Sequence, residues 1–287
     1  MENAFNLDAL VPGEMALKAE KVGVAKVGLG PFRMFALAVL AGAFIGLGAI
    51  FATTATAGLA GQVSFGVIKL IGGLVFCLGL ILVIGAGAEL FTGNNLIVMA
   101  WAHKKVTTGQ LLRNWLIVYI GNFVGSIITA GGMFLTQQYS FGGGAVGLNA
   151  LTIAHGKVQL EFVQALMLGV FCNALVCLAV WLCIGARSAT DKILAIIFPI
   201  TAFVAAGFEH SVANMYFIPM GLFIKSGADG KFWLDIGKTA AEYSHLTWGN
   251  FFLVNLLPVT IGNIIGGALL VGLAYWFIYL RPSWTGR

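Results

Sequence analysis

The sequence predicts an all-α membrane protein of six transmembrane helices in two inverted three-helix repeats, with helices 2 and 5 broken. Three observations carry that expectation. First, apolar residues make up 59% of the 287 positions and charged residues only 9%, with a mean hydropathy of +0.94. A soluble domain is nearer a quarter charged, so lipid is the solvent that suits this surface. Second, the apolar residues gather into six stretches, each long enough for the roughly 20 residues of a spanning helix. Third, a polar motif, G-x-E-x-x-x-x-N, recurs inside two of those stretches.

Residues 1–31 are mixed in character. Asp8 to Pro12 reads as a helix start, and Glu14 to Lys26 as a short helix along the membrane surface. The first thirty residues contain no apolar core of a signal peptide. Span 1 is expected over 31–56. Span 2, 65–102, is interrupted by Glu89 and Thr92-Gly93-Asn94-Asn95. Span 3 covers 108–135. A Gly-rich loop through Phe141-Gly142-Gly143-Gly144 is expected to run to about Lys157. Span 4 covers 160–186. Span 5, 192–224, is interrupted at Glu209-His210-Ser211, and a charged loop, 225–245, leads to span 6 at 246–280. Spans 2 and 5 exceed one membrane thickness and read as broken in the middle.

If the N-terminus is cytoplasmic, eleven of the sixteen Lys and Arg fall on the cytoplasmic side, among them Lys26 and Arg113. Lys69, Lys157, Lys225, Lys231 and Lys238 fall on the other. The bias places both termini inside the cell. The basic residues are orientation signals of this kind rather than a nucleic-acid surface.

The chain repeats itself. Gly87-Ala88-Glu89-Leu90-Phe91-Thr92-Gly93-Asn94 in span 2 matches Gly207-Phe208-Glu209-His210-Ser211-Val212-Ala213-Asn214 in span 5. Span 3, from Asn114 to Gly125, matches span 6, from Asn255 to Gly266, with Gly121-Asn122 opposite Gly262-Asn263. A unit of three spans is odd, so the second copy enters the membrane from the opposite side. Such repeats place a substrate site at their interface, near the midplane, beside the interrupted helices. Half-helices starting near Gly93 and Ser211 would aim positive dipole ends inward, which favours an anion.

Glu89, Glu209 and His210 are the ionisable residues inside spans and away from span ends. Such groups are costly there and tend to be functional. The glutamates suit orphan backbone N–H groups at the breaks, helped by Asn94 and Asn214. His210 stands opposite Leu90, so the repeat itself does not demand it, and its charge changes near neutral pH. Thr92 either donates to an anion or caps the next half-helix. By composition Phe76, Leu80, Leu90, Phe91, Val176 and Phe203 are ordinary apolar span residues. Cys77, Cys172, Cys177 and Cys183 lie in apolar stretches without a C-x-x-C pair and read as small buried side chains. Small-x-x-x-small spacings at Gly42/Gly46, Gly121/Gly125 and Gly262/Gly266 permit close helix contact. No phosphate-binding loop and no H-E-x-x-H appears. A membrane-embedded enzyme or cofactor-binding subunit would need more convergent polar residues than this single span histidine.

The octets, the Gly-Asn pairs of spans 3 and 6 and Lys157 together resemble the formate–nitrite transporter family over nearly the whole chain. The resemblance implies an aquaporin-like channel fold, although the Asn-Pro-Ala boxes of aquaporins themselves are missing. It implies a homo-pentamer in the bacterial inner membrane, each protomer with its own pore, and no enzyme activity or cofactor. It divides the chain into a cytoplasmic segment, 1–30, holding a pH-responsive gating helix; a channel domain, 31–281; and a cytoplasmic tail, 282–287. Carried over by position, His210 is the central pore histidine and Thr92 its partner. Phe76, Leu90 and Phe203 match one apolar constriction, and Leu80, Phe91 and Val176 the other. Glu209, Asn214 and Asn173 match the polar support of the histidine, while Lys157 and Asn263 attract or orient the anion. The implied substrate is formate, passing in both directions as anion or formic acid with pH, with protons as partner. Nitrite and hydrosulfide are the alternatives within the family. Asn95, where relatives carry a small or apolar residue, has no reading from sequence.

Overall fold

The computed structural model describes residues 9–281; Asp8 and the 282–287 tail lie outside that range. The described chain is helical, with one isolated bridge between Ala60 and Val63. Helix α1 spans Pro12–Val27, α2 Pro31–Ala55 and α3 Phe65–Ala86. A tight 3-10 turn, Gly93–Ile97, leads into α4, Val98–Ala102. Then follow α5 at Thr108–Leu135, α6 at Ala145–Lys157 and α7 at Phe162–Gly185. The next are α8 at Ala189–Ala205, α9 at Ser211–Gly227 and α10 at Gly230–Ile236. The last rod runs through α11, Trp248–Asn250, a π stretch, Phe251–Leu256, and α12, Leu257–Ile264. A second π stretch, Ile265–Leu273, carries it into α13, Ala274–Tyr279. Pro258 sits just inside α12 and has no N–H to return to the preceding turn, which suits the widened backbone before it.

Among the described residues, five helices are long and apolar enough to cross a membrane. The other expected span is divided between α8 and α9, each of 17 residues. Two sequence expectations change. The segment expected as a loop up to Lys157 is mostly α6, launched by Gly144 at φ +85°. The expected charged loop after Ile224 is also largely helical: α9 continues to Gly227, and α10 follows with Asp229 capping Phe232 N–H. Glycine and polar residues mask both helices in sequence, because each is anchored by packing: α6 against α9, and Phe232 of α10 against Tyr139.

The two breaks have the same construction. α3 ends on Gly87 at φ +76°, and Ala88 N–H reaches back to Val83 O at 2.9 Å. After α8, Gly207 adopts φ +75°, and Phe208 N–H reaches Phe203 O at 3.0 Å. Both are Schellman-type endings that only glycine adopts without strain. The neighbouring contacts match too. α2 packs on α3 and α5 as α7 packs on α8 and α12. A Cβ on Gly125 would fall on the carbonyl oxygen of Val39, and one on Gly266 on that of Val170. Tyr119 hydroxyl and Thr260 Oγ1, equivalent positions of the two repeats, meet at 2.8 Å. Equivalent residues touch only where the symmetry axis passes between them, so the axis runs through this pair.

α1 lies against the 3-10 turn, α4 and the end of α7. Lys18 Nζ donates to Ile184 O, Arg113 donates to Val27 O, and Glu20 pairs with His103. Helix packing at this distance is set by small residues rather than by a hydrophobic drive. Gly266→Ala should therefore cost most of the folded yield in detergent. Gly132→Ala, where a Cβ meets nothing within 4 Å, should match or exceed the wild type. Equal yields for both, read by size-exclusion chromatography, would refute the close-approach argument.

Candidate functional site

The site begins with the backbone that the breaks leave unpaired. Inside an apolar bundle each such group needs a protein partner, since an orphan costs about 1–3 kcal/mol. Asn122 and Asn263 supply it. Asn122 Oδ1 accepts from Phe91 N–H at 2.9 Å, and its Nδ2 donates to Ala38 O and Glu89 O. Asn263 Oδ1 accepts from Ser211 N–H at 2.9 Å, and its Nδ2 donates to Gly169 O and Glu209 O. Asn263 is fully buried, with both ends of its amide used on backbone.

The glutamates form a second matched layer. Glu89 Oε1 accepts from Lys26 Nζ at 2.7 Å, and Oε2 from Asn94 Nδ2 at 2.7 Å. Glu209 Oε1 accepts from Lys157 Nζ at 2.7 Å, and Oε2 from Asn214 at 2.7 Å and Asn255 at 3.1 Å. Asn94 then donates to Asn114 Oδ1, and Asn214 to Asn255 Oδ1. A buried carboxylate is tolerable only with this degree of pairing. The displacement along the chain from Lys26 to Lys157 equals that from Leu37 to Leu168, whose carbonyls accept from Glu89 N–H and Glu209 N–H. The repeat thus extends beyond the spans to include α1 and α6.

The repeats part company at one position. Leu90 is buried and apolar. Its counterpart His210 is the N-cap of α9: Nδ1 accepts from Ala213 N–H at 3.0 Å. With Nδ1 an acceptor, the neutral ring carries its proton on Nε2, which donates to Thr92 Oγ1 at 2.9 Å. Phe203 stacks on the imidazole at 5.9 Å, and Phe76 meets Phe203 edge-on at 5.7 Å. Thr92 is fixed through its carbonyl, which accepts from Asn173 Nδ2 at 3.3 Å and Cys177 Sγ at 3.4 Å. Asn173 also donates to Asn95 Oδ1 at 3.0 Å, while Asn95 Nδ2 donates to Phe91 O. Asn95 therefore ties the loop of the first break to α7.

A cavity of about 440 Å³ opens from one face and ends on Phe76, Phe203 and His210. Lys157, Glu209 and Asn214 line it as well, as do Lys69 and Phe217. Leu80, Leu90, Phe91 and Val176 do not line it. They lie in the packed core together with Phe76 and Phe203, and Phe91 packs edge-on against Tyr119 and Trp115. The structure thus gathers Phe76, Phe203 and His210 at the floor, with Thr92 buried behind His210. Glu209, Asn214 and Lys157 stand beside it, and Asn173 and Asn263 behind it. Glu209 and Asn214 reach His210 only through the backbone of the break, since the imidazole bonds to Thr92 and Ala213.

In the sequence, Lys26 stands only as an orientation charge, and Asn114, Asn122 and Asn255 only as letters of a repeat. The shared spacing of the two asparagines in α5 and in the last rod was the available signal.

Comparison with known proteins agrees with this architecture. A family model described as Formate/nitrite transporter matches residues 13–277. The chain is 49% identical over 282 residues to the formate channel FocA of Escherichia coli (strain K12), covering 98% of each. It is 42% identical to the formate channel FocA of Haemophilus influenzae, covering 92% of this chain and 93% of that one. Among solved structures, a pentameric formate channel with formate bound superposes with TM-score 0.82 at 45% identity, covering 88% of this chain and 98% of that one. With the model match spanning both repeats and both breaks, the chain belongs to the formate/nitrite transporter family of membrane channels and transporters.

Proposed function

We propose that this chain is a bidirectional formate channel in which His210 adjusts the balance between passage of the anion and of formic acid. The observation that carries the reading is the hydrogen bond from His210, on the cavity lining, to Thr92 buried behind it. His210 Nε2–H and Thr92 Oγ1 lie 2.9 Å apart beneath two aromatic rings. A carboxylate entering the cavity sheds water at Phe76 and Phe203, and a bare anion in an apolar constriction is costly. The Nε2–H and the Thr92 hydroxyl replace part of the lost hydration. A proton taken up from cavity water and relayed through the His210–Thr92 hydrogen bond, each group regaining the proton it gives, yields neutral formic acid, which crosses the second apolar set, Leu80, Phe91 and Val176, more cheaply than the ion. Resupply of that proton comes from water in the cavity, so flow responds to pH in either direction.

In this reading α8 and α9 together make the remaining span, giving six. Both termini then share one face, which the Lys and Arg bias makes cytoplasmic, in the bacterial inner membrane. Lys157 neutralises Glu209 beside the path and so keeps it open to an anion, Asn263 and Asn173 hold the two loops in register, and Leu90 completes the first constriction. The protomers assemble as a pentamer, as in the solved relative.

Proteoliposome flux of formate, nitrite, hydrosulfide and chloride tests the reading, with formate expected to pass fastest; faster nitrite or hydrosulfide would reassign the substrate. Asn at position 210 keeps an N-cap acceptor and a donor toward Thr92 but cannot titrate. His210→Asn should therefore assemble and pass some anion while losing most of the rise in formic acid uptake between neutral and mildly acid pH. A wild-type pH response in that variant would reduce His210 to a helix cap. Replacing Phe76 and Phe203 together by alanine should raise leak of larger hydrated solutes. Unchanged selectivity would argue that the two rings do not bound the path.

A further inference from the structure

The cavity lining carries three formal charges beside the imidazole: Lys69, Lys157 and Glu209. Two of them cancel. Lys157 Nζ and Glu209 Oε1 lie 2.7 Å apart with both side chains largely buried, so at any distance beyond its own length the pair acts as a dipole rather than a charge. Lys69 is different. Among the described residues no carboxylate comes within ion-pair distance of it. Its ammonium rests 5.3 Å from the centre of the Phe65 ring, an attraction that leaves the charge uncompensated. Its place on α3 is also defined. Lys69, Gly72 and Phe76 all line the cavity at helical spacing, which sets the ammonium-bearing residue two turns, about 10 Å, above the aromatic floor.

We propose that Lys69 is the residue that draws the anion into the vestibule, supplying the net positive charge there while Lys157 is occupied with Glu209. The inference rests on the anion-channel reading above. Low-dielectric walls focus the field of a lone cation along the cavity and raise the local anion concentration. The effect acts on the ion and not on the neutral acid, and salt screens it over roughly 8–10 Å.

The test is formate uptake by proteoliposomes holding Lys69→Gln, Lys69→Met or Lys69→Arg in equal folded amounts. Lys231→Gln, which removes a positive charge from an exposed helix, is the control. At neutral pH and low salt, Lys69→Gln and Lys69→Met should raise the half-saturating formate concentration about three- to ten-fold, with the maximal rate within about two-fold of wild type. The difference should shrink at high salt and at mildly acid pH, and Lys69→Arg should restore the wild-type value. Wild-type half-saturation and salt dependence in both neutral variants would overturn the inference, as would an equal shift in Lys231→Gln. A wild-type protein that passes no formate would overturn the channel reading and this inference with it. Wild-type flux with indifferent Lys69 variants would overturn the inference alone.

Discussion

The structure depends on one constraint: two stretches of unwound backbone sit inside an apolar bundle, and each of their N–H and C=O groups must find a partner within the protein. Most features of the chain follow from it. Asn122 and Asn263 each serve three backbone groups around a break. To deliver those amides, α5 and α12 must come close to α2 and α7, which is why glycine stands at the contacts and why a Cβ there would meet a carbonyl. Glu89 and Glu209 orient a second tier of asparagines, and each carboxylate then requires a cation, drawn from α1 in one repeat and α6 in the other. Interruption, glycines, asparagines and ion pairs are links of one chain of requirements, met twice.

The same constraint shows how the repeats differ. In the second repeat, His210 caps the first turn of α9 through Nδ1. In the first repeat the equivalent residue is Leu90, which has no acceptor to offer. There the chain tightens into the 3-10 turn Gly93–Ile97 before α4 begins, the usual recourse of a helix start that lacks a side-chain cap. A serine or aspartate would cap α9 equally well. Imidazole adds a donor on the far side of a rigid ring, so the residue that closes the helix also presents Nε2–H to Thr92.

Much of the fold was legible because membrane proteins write it in long periods. Apolar stretches gave the helices, and two octets at corresponding places gave the inversion. His210 stood out because its repeat partner is leucine, and the asymmetry itself was the signal. What stayed hidden was whatever depends on partners remote in sequence. α6 read as loop because its helix follows a run of glycines and its stability comes from packing on α9. Lys26 read as a topology charge because nothing local connects it to Glu89. Asn95 had no reading because its partner, Asn173, lies on another helix. The apolar residues of the floor were distinguishable from lipid-facing ones only through the resemblance, since Phe76 and Phe203 look like any other span phenylalanine until their rings are seen at the end of a cavity.

The electrostatics of the vestibule follow from the scaffold rather than preceding it. Glu209 is required by Asn214 and Asn255, which hold the break, yet a carboxylate beside an anion path is repulsive. Its cancellation is therefore a condition of anion transport, and Lys157 meets that condition at 2.7 Å. A lysine so engaged makes the floor neutral rather than attractive. On the proposed path, what an arriving anion meets beyond it is uncharged: His210 on the cavity lining and Thr92 hydrogen-bonded behind it. Neutral donors suit a small anion that must leave as readily as it arrives, because a full cation at the constriction would bind the ion tightly and slow its release. Attraction belongs at the mouth, where water still screens it, and hydrogen bonding at the floor, where hydration is lost.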